Sequence, residues 1–161
     1  MNIAFLEGWC ELAFPSLTNA GICPEGTHDC TLDEIAANLC HNEARQRLWD
    51  KFLEFHAWML TQPVPPSILI DGSFSTDKTV PGDIDVVVDL TGADDATIGF
   101  WATQYFNRKQ QIGQIYNLDF YIYFPGAPKD LRAFFTYVKV EEAIARGLQP
   151  EDRKGLLRVT L

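Results

Sequence analysis

Ser67-Ile68-Leu69-Ile70-Asp71-Gly72-Ser73-Phe74-Ser75-Thr76-Asp77-Lys78-Thr79-Val80-Pro81-Gly82-Asp83-Ile84-Asp85-Val86-Val87-Val88-Asp89-Leu90 decides the fold. It reads as strand, tight turn, polar loop, strand. Ile68-Leu69-Ile70 is a short β-branched apolar run after Pro65-Pro66. The second strand opens at Asp83 and continues through Val86-Val87-Val88. Side chains alternate along a strand, so Asp83 and Asp85 share a face at its entrance. Two neighbouring carboxylates repel and raise each other's pKa. Such a pair is tolerated at an exposed edge, or where a hard cation such as Mg²⁺ bridges it.

Gly72-Ser73, nine intervening residues, and Asp83-Ile84-Asp85 resemble the signature of the nucleotidyltransferase superfamily, the polymerase-β-like fold. The longer string Asp71-Gly72-Ser73-Phe74-Ser75-Thr76-Asp77-Lys78 with Pro81-Gly82-Asp83-Ile84-Asp85 is similar to small bacterial DUF6932-like proteins, read as minimal nucleotidyltransferases. Pro24-Glu25-Gly26-Thr27-His28, Thr31-Leu32-Asp33-Glu34 and Lys154-Gly155 extend that likeness over most of the chain. Only the Gly-Ser to Asp-x-Asp stretch carries a known mechanical meaning.

The resemblance implies a metal-dependent enzyme that moves a nucleoside monophosphate from a nucleoside triphosphate to a protein, RNA or small-molecule acceptor. Asp83 and Asp85 would bridge two Mg²⁺ or Mn²⁺ ions. Asp119, on a later strand, would be the third carboxylate, beside the nucleophile. Gly72 would let the backbone approach phosphate. Ser73 would offer a hydroxyl and an amide, and Lys78 a charge from the loop. Lys129, Arg132, Arg153, Lys154 and Arg158 are further cations without an assigned order. Some minimal relatives work with a partner protein in toxin–antitoxin or phage-defence systems. The acidic charge, and the lack of a following helical domain to bind base or acceptor, leave a catalytically inactive binding or regulatory module as the alternative. A two-metal hydrolase is a third reading, though it leaves the Gly-Ser turn without a role.

At 161 residues with 47% hydrophobic content the chain suits one folded domain, residues 1–161, of mixed α/β class. The net charge of −9 opposes general nucleic-acid binding, which relies on neutralising phosphates. Glu7 interrupts the apolar start, so no signal peptide is expected; nor is a membrane span, and the expected location is cytoplasmic. Cys10, Cys23, Cys30 and Cys40 lie in the first quarter with His28 and His41. Without a paired Cys-x-x-Cys they read as buried free thiols, with zinc as the other possibility.

Residues 1–30 read as an extended wrap, with a short strand near Met1–Leu6. Thr31 to Glu34 is a capping box opening a helix to about residue 40. A second helix spans about 42–61, its apolar stripe running from Leu48 to Leu60 with His56 packed in it. A third spans about 95–107, with Ile98, Trp101, Ala102, Tyr105 and Phe106 inward. Arg108-Lys109-Gln110-Gln111 reads as a solvated polar link. Residues 117–124 form a strand on which Asp119, Tyr121 and Tyr123 share a face. Short helices follow near 129–135 and 141–146, the latter closed by Gly147. A last strand, 156–161, is expected at the sheet edge. If the three strands adjoin, Asp119 should meet the other two carboxylates at about 4–6 Å, and Asp119→Asn should relieve repulsion and raise the melting temperature.

Overall fold

The computed structural model describes residues 14–161. The strand expected near Met1–Leu6, and Cys10, lie outside them. Five strands form one sheet in the order β1-β5-β2-β3-β4. They are β1 Thr27–Asp29, β2 Ser67–Asp71, β3 Ile84–Asp89, β4 Leu118–Tyr123 and β5 Leu156–Thr160. β2 runs antiparallel to β3 and β5, whereas β3–β4 and β1–β5 are parallel pairs. The mixed α/β architecture read from the sequence is therefore the one formed.

Helices α1 Leu32–Leu39, α2 Glu43–Met59 and α3 Asp95–Tyr116 cover one face. α1 starts at the capping box: Thr31 Oγ1 accepts from Glu34 N, and the Glu34 carboxylate accepts from Thr31 N. α2 starts at Asn42, whose side chain accepts from Arg45 N. Ile35, Leu39, Phe52, Phe55 and Trp101 of these helices meet Ile68, Ile70, Val86, Val88 and Phe120 of the sheet in the main core. Each fully buried aromatic there contributes about 1.5–3 kcal/mol of transfer free energy.

The other face is thinly covered. Leu69, Val87 and Leu156 pack there against Phe135 of α4 (Leu131–Phe135), with Tyr121 and Tyr123 alongside. α5, Val140–Arg146, follows, and Gly147 closes it in the left-handed conformation.

Three expectations are corrected. The polar link at Arg108–Gln111 is helical, because these residues are good helix formers and Ile112 beyond them is buried; α3 ends only where Asn117 turns left-handed. Phe106 is exposed rather than inward. β5 lies inside the sheet, since Thr27–Asp29 adds a further strand at the edge. That strand is three residues long, too short to leave an alternating pattern.

Candidate active site

β2 ends at Asp71, and Gly72 turns the chain with φ +79° into a short helical turn, Gly72–Ser75. Glycine adopts that backbone without strain. It is needed twice over, because a side chain at 72 would overlap the Asp85 carboxylate.

The loop after the turn is anchored from below by Arg45, a fully buried side chain of α2. Its guanidinium donates to the carbonyls of Leu39, Phe74, Thr76 and Lys78, and stacks over the Phe74 ring. Among the described residues no carboxylate pairs with it, and backbone dipoles meet its charge. From the other side Arg146 donates to Asp77 Oδ1 at 2.7 Å and to Ala20 O, while Asp77 N bonds Gly21 O. A loop rich in polar residues thus has a fixed path.

The strand register aligns three acids across adjacent strands. Asp71 pairs with Asp85 between β2 and β3, and Asp85 with Asp119 between β3 and β4. Register partners point to the same face. Here it is the thinly covered one, because Leu69, Val87 and Tyr121 share its phase. Asp83 stands just ahead of β3, half-buried. Asp85 is central. Burial pushes its carboxyl up, and Asp83, Asp71 and Asp119 add to this against Lys154, to about 6.

Two lysines sit at the ends of this row. Lys109 Nζ lies 2.8 Å from Asp119 Oδ1 and over the Tyr121 ring, while Tyr121 OH donates to Asp119 Oδ2 at 2.6 Å. Lys154 Nζ lies 2.9 Å from Asp71 Oδ2. That oxygen is buried and accepts no well-aligned hydrogen bond, so Lys154 serves it as an ion-pair partner. Asp71 Oδ1 accepts from Ser75 Oγ at 3.2 Å. Burial raises the Asp71 pKa, and Lys154 opposes the rise. A cleft of about 850 Å³ opens beside the row between α3 and β4, with Asp83, Lys109, Asn117 and Asp119 in its wall.

Of the site residues expected from sequence, Asp85 and Asp119 are register partners in the row, Asp83 flanks it, and Gly72 and Ser73 form the adjoining turn. Lys78 is exposed, and its carbonyl, not its ammonium, is held by Arg45. Lys109 is no solvated end, because α3 continues far enough to carry it to Asp119. Asp71 belongs to the row itself. Arg45 went unnoticed, although its place one turn before Leu48 and Trp49 puts a guanidinium on the buried stripe. Among the described residues no three His, Cys, Asp or Glu side chains are drawn together tightly enough to hold a metal ion. Cys23, Cys30 and Cys40 are free thiols, and burial pushes them up to about 12, 11 and 11.

No helix of the described residues is long and apolar enough to cross a membrane. No curated protein and no solved structure matches the chain. Residues 15–160 match the model of a family of unknown function, DUF6932, and the chain belongs to that family.

Proposed function

We propose that this chain is a divalent-metal-dependent nucleotidyltransferase acting on a nucleoside triphosphate and a protein, RNA or small-molecule acceptor. The observation that carries the reading is the aligned row Asp71, Asp85, Asp119 beside the left-handed Gly72 and Ser73. The donor chemistry suits Mg²⁺ or Mn²⁺: all the groups are hard oxygens. Burial first, and then the neighbouring Asp83, Asp71 and Asp119, push the Asp85 carboxyl up, and a bound cation would counter that push. Asp83, Asp85 and Asp119 would hold the ions after drawing closer than they stand here, and Asp119 would exchange Lys109 for the cation. Bound divalent ions would offset the charge on the transferring phosphate and the departing pyrophosphate.

The chain's own part is positioning. Gly72 presents bare backbone to the phosphates, and Ser73 gives an amide and a hydroxyl. Arg45 and Arg146 keep the loop from moving as charge builds up. Asp119 Oδ1 would receive the acceptor's proton once Lys109 has moved away.

A second reading has its own support. Lys109 and Lys154 already supply positive charge inside the row. A binding or regulatory module with this fold would need no metal, and could serve a partner in a toxin–antitoxin or phage-defence setting.

Incubation with each α-labelled nucleoside triphosphate, Mg²⁺ and cell extract tests the first reading. Label on an acceptor, lost in Asp83→Asn/Asp85→Asn, supports it. Absence of transfer with all four nucleotides, together with partner capture that survives in the double variant, favours the module.

A further inference from the structure

Two sequence motifs remain without a role in that chemistry: Pro24-Glu25-Gly26-Thr27-His28 and Lys154-Gly155. They are far apart in the chain and packed on one another. Gly155 N donates to Cys23 O and Leu156 N to Gly26 O, both at 2.9 Å. A side chain at 155 would overlap the Pro24 carbonyl. His28 Nε2 donates to that same carbonyl at 2.8 Å, which holds the turn closed. On the other side, Lys154 N donates to Thr136 O at 2.9 Å. The backbone of residues 154 and 155 is therefore gripped from both sides, immediately before β5 enters the sheet next to β2.

What this grip positions is one ammonium group. The Lys154 side chain is 13% exposed and the Asp71 side chain 1%. Asp71 is the residue before Gly72, so Lys154 is delivered beside the Gly72–Ser73 turn, close enough to Asp85 to oppose the rise in its pKa. An ammonium has three donors. Among the described residues Asp71 is its one recorded partner.

We infer that Lys154 is the phosphate-binding cation of this site, aimed by Asp71 and by the packed 24–28 and 154–155 segments at the triphosphate end of the substrate. The inference rests on the nucleotidyltransferase reading for its substrate and deepens it. Lys78, the cation expected from sequence, is on the exposed loop, whereas Lys154 is fixed and largely desolvated. Desolvated charge binds phosphate more strongly than a solvated one. Asp71 is a positioning residue: it holds the ammonium and touches no substrate.

The test is calorimetric titration of inorganic triphosphate with Mg²⁺ into the full chain, run beside the label-transfer assay. Wild type should bind triphosphate. Lys154→Met should weaken binding about tenfold or more, the scale of a lost charge-assisted hydrogen bond. Lys154→Arg should restore most of it, and Arg153→Met should leave it unchanged. Lys154→Met strands a buried carboxylate, so Asp71→Asn/Lys154→Met is included. That pair should recover the melting temperature without recovering triphosphate binding. Wild-type affinity in this folded double variant, or no triphosphate binding by wild type, overturns the inference. Transfer by Lys154→Met at wild-type KM also overturns it, while the nucleotidyltransferase reading stands. Lys154-dependent triphosphate binding with no transfer from any nucleotide reverses this: the anion site holds and the transferase reading falls.

Discussion

The Asp85 carboxylate occupies the space into which a side chain at Gly72 would project. The turn and the central acid are therefore one unit, and changing either disturbs both. In Gly72→Ala the methyl must displace Asp85, and the residue must also hold φ +79°. The backbone alone costs about 1–2 kcal/mol. A fall in melting temperature of at least several degrees is expected, together with loss of divalent-ion and nucleotide binding. Thermal unfolding with and without Mn²⁺ measures both. Unchanged ion binding in Gly72→Ala would show that Asp85 has no part in holding a cation.

Arg45 should matter more to stability than any surface charge. Its removal leaves the carbonyls of Leu39, Phe74, Thr76 and Lys78 short of donors in or near the core. Each unsatisfied buried group costs about 1–3 kcal/mol, so Arg45→Met should cost about 3 kcal/mol or more. Arg45→Lys should not rescue it, because one ammonium cannot span the fork of a guanidinium. Denaturant unfolding gives the magnitude. Limited proteolysis should show new cleavage between residues 76 and 82.

The central acid also sets a pH dependence. Asp85 rises from 3.8 to about 6 in the folded protein. A carboxyl raised on folding binds its proton more tightly in the native state. Its contribution therefore favours the fold at low pH, declines between pH 4 and 6, and stays lost above. Asp71, raised mainly by burial, tilts the same way. Asp29, lowered by its Arg158 hydrogen bonds, and Asp130, lowered by Arg132, tilt the other way. The difference between wild type and a variant isolates one group. Asp85→Asn should melt above wild type at pH 7 without metal, with the advantage gone near pH 4. Equal differences at the two pH values would remove Asp85 from the acidic cluster.

The sequence made the hairpin β2–β3 legible because Gly-Ser and Pro-Gly punctuate two apolar runs, and β4 legible because its aromatics alternate. Asp119 could be paired with Asp85 by phase alone. The lysines could not. Lys154 reaches Asp71 only because β5 inserts beside β2, a pairing of residues 67–70 with 157–160 that leaves no local trace. Lys109 reaches Asp119 because α3 continues past a polar stretch, and polarity had suggested an end. Arg45 was visible in helical phase, but an arginine without a carboxylate partner gives no cue that backbone carbonyls will receive it.

The two lysines differ in how firmly they are held, and the last prediction turns on that difference. Lys154 and Asp71 have side-chain exposures of 13% and 1%, whereas Lys109 and Asp119 have 30% and 37%. A half-exposed pair is worth about 1 kcal/mol or less. A divalent ion shared by several carboxylates exceeds that easily, so Lys109 is displaceable and Lys154 is not. The Lys109 ion pair adds a cost to Asp119→Asn that opposes the relief of repulsion expected of it. Asp119 pairs with Lys109 and accepts from Tyr121, so removing its charge loses these partners while it relieves Asp85. Asp119→Asn should lower the melting temperature slightly in the absence of metal. Lys109→Met should lower it too, by leaving Asp119 unneutralised beside Asp85. In the presence of Mn²⁺ the two variants should part. Lys109→Met, freed of the competing ammonium, should bind Mn²⁺ several-fold more tightly than wild type and gain more stability from it. Asp119→Asn should bind it more weakly. Weaker Mn²⁺ binding by Lys109→Met, with Asp119→Asn unchanged, would mean that the Lys109–Asp119 pair is structural and that no cation takes the lysine's place.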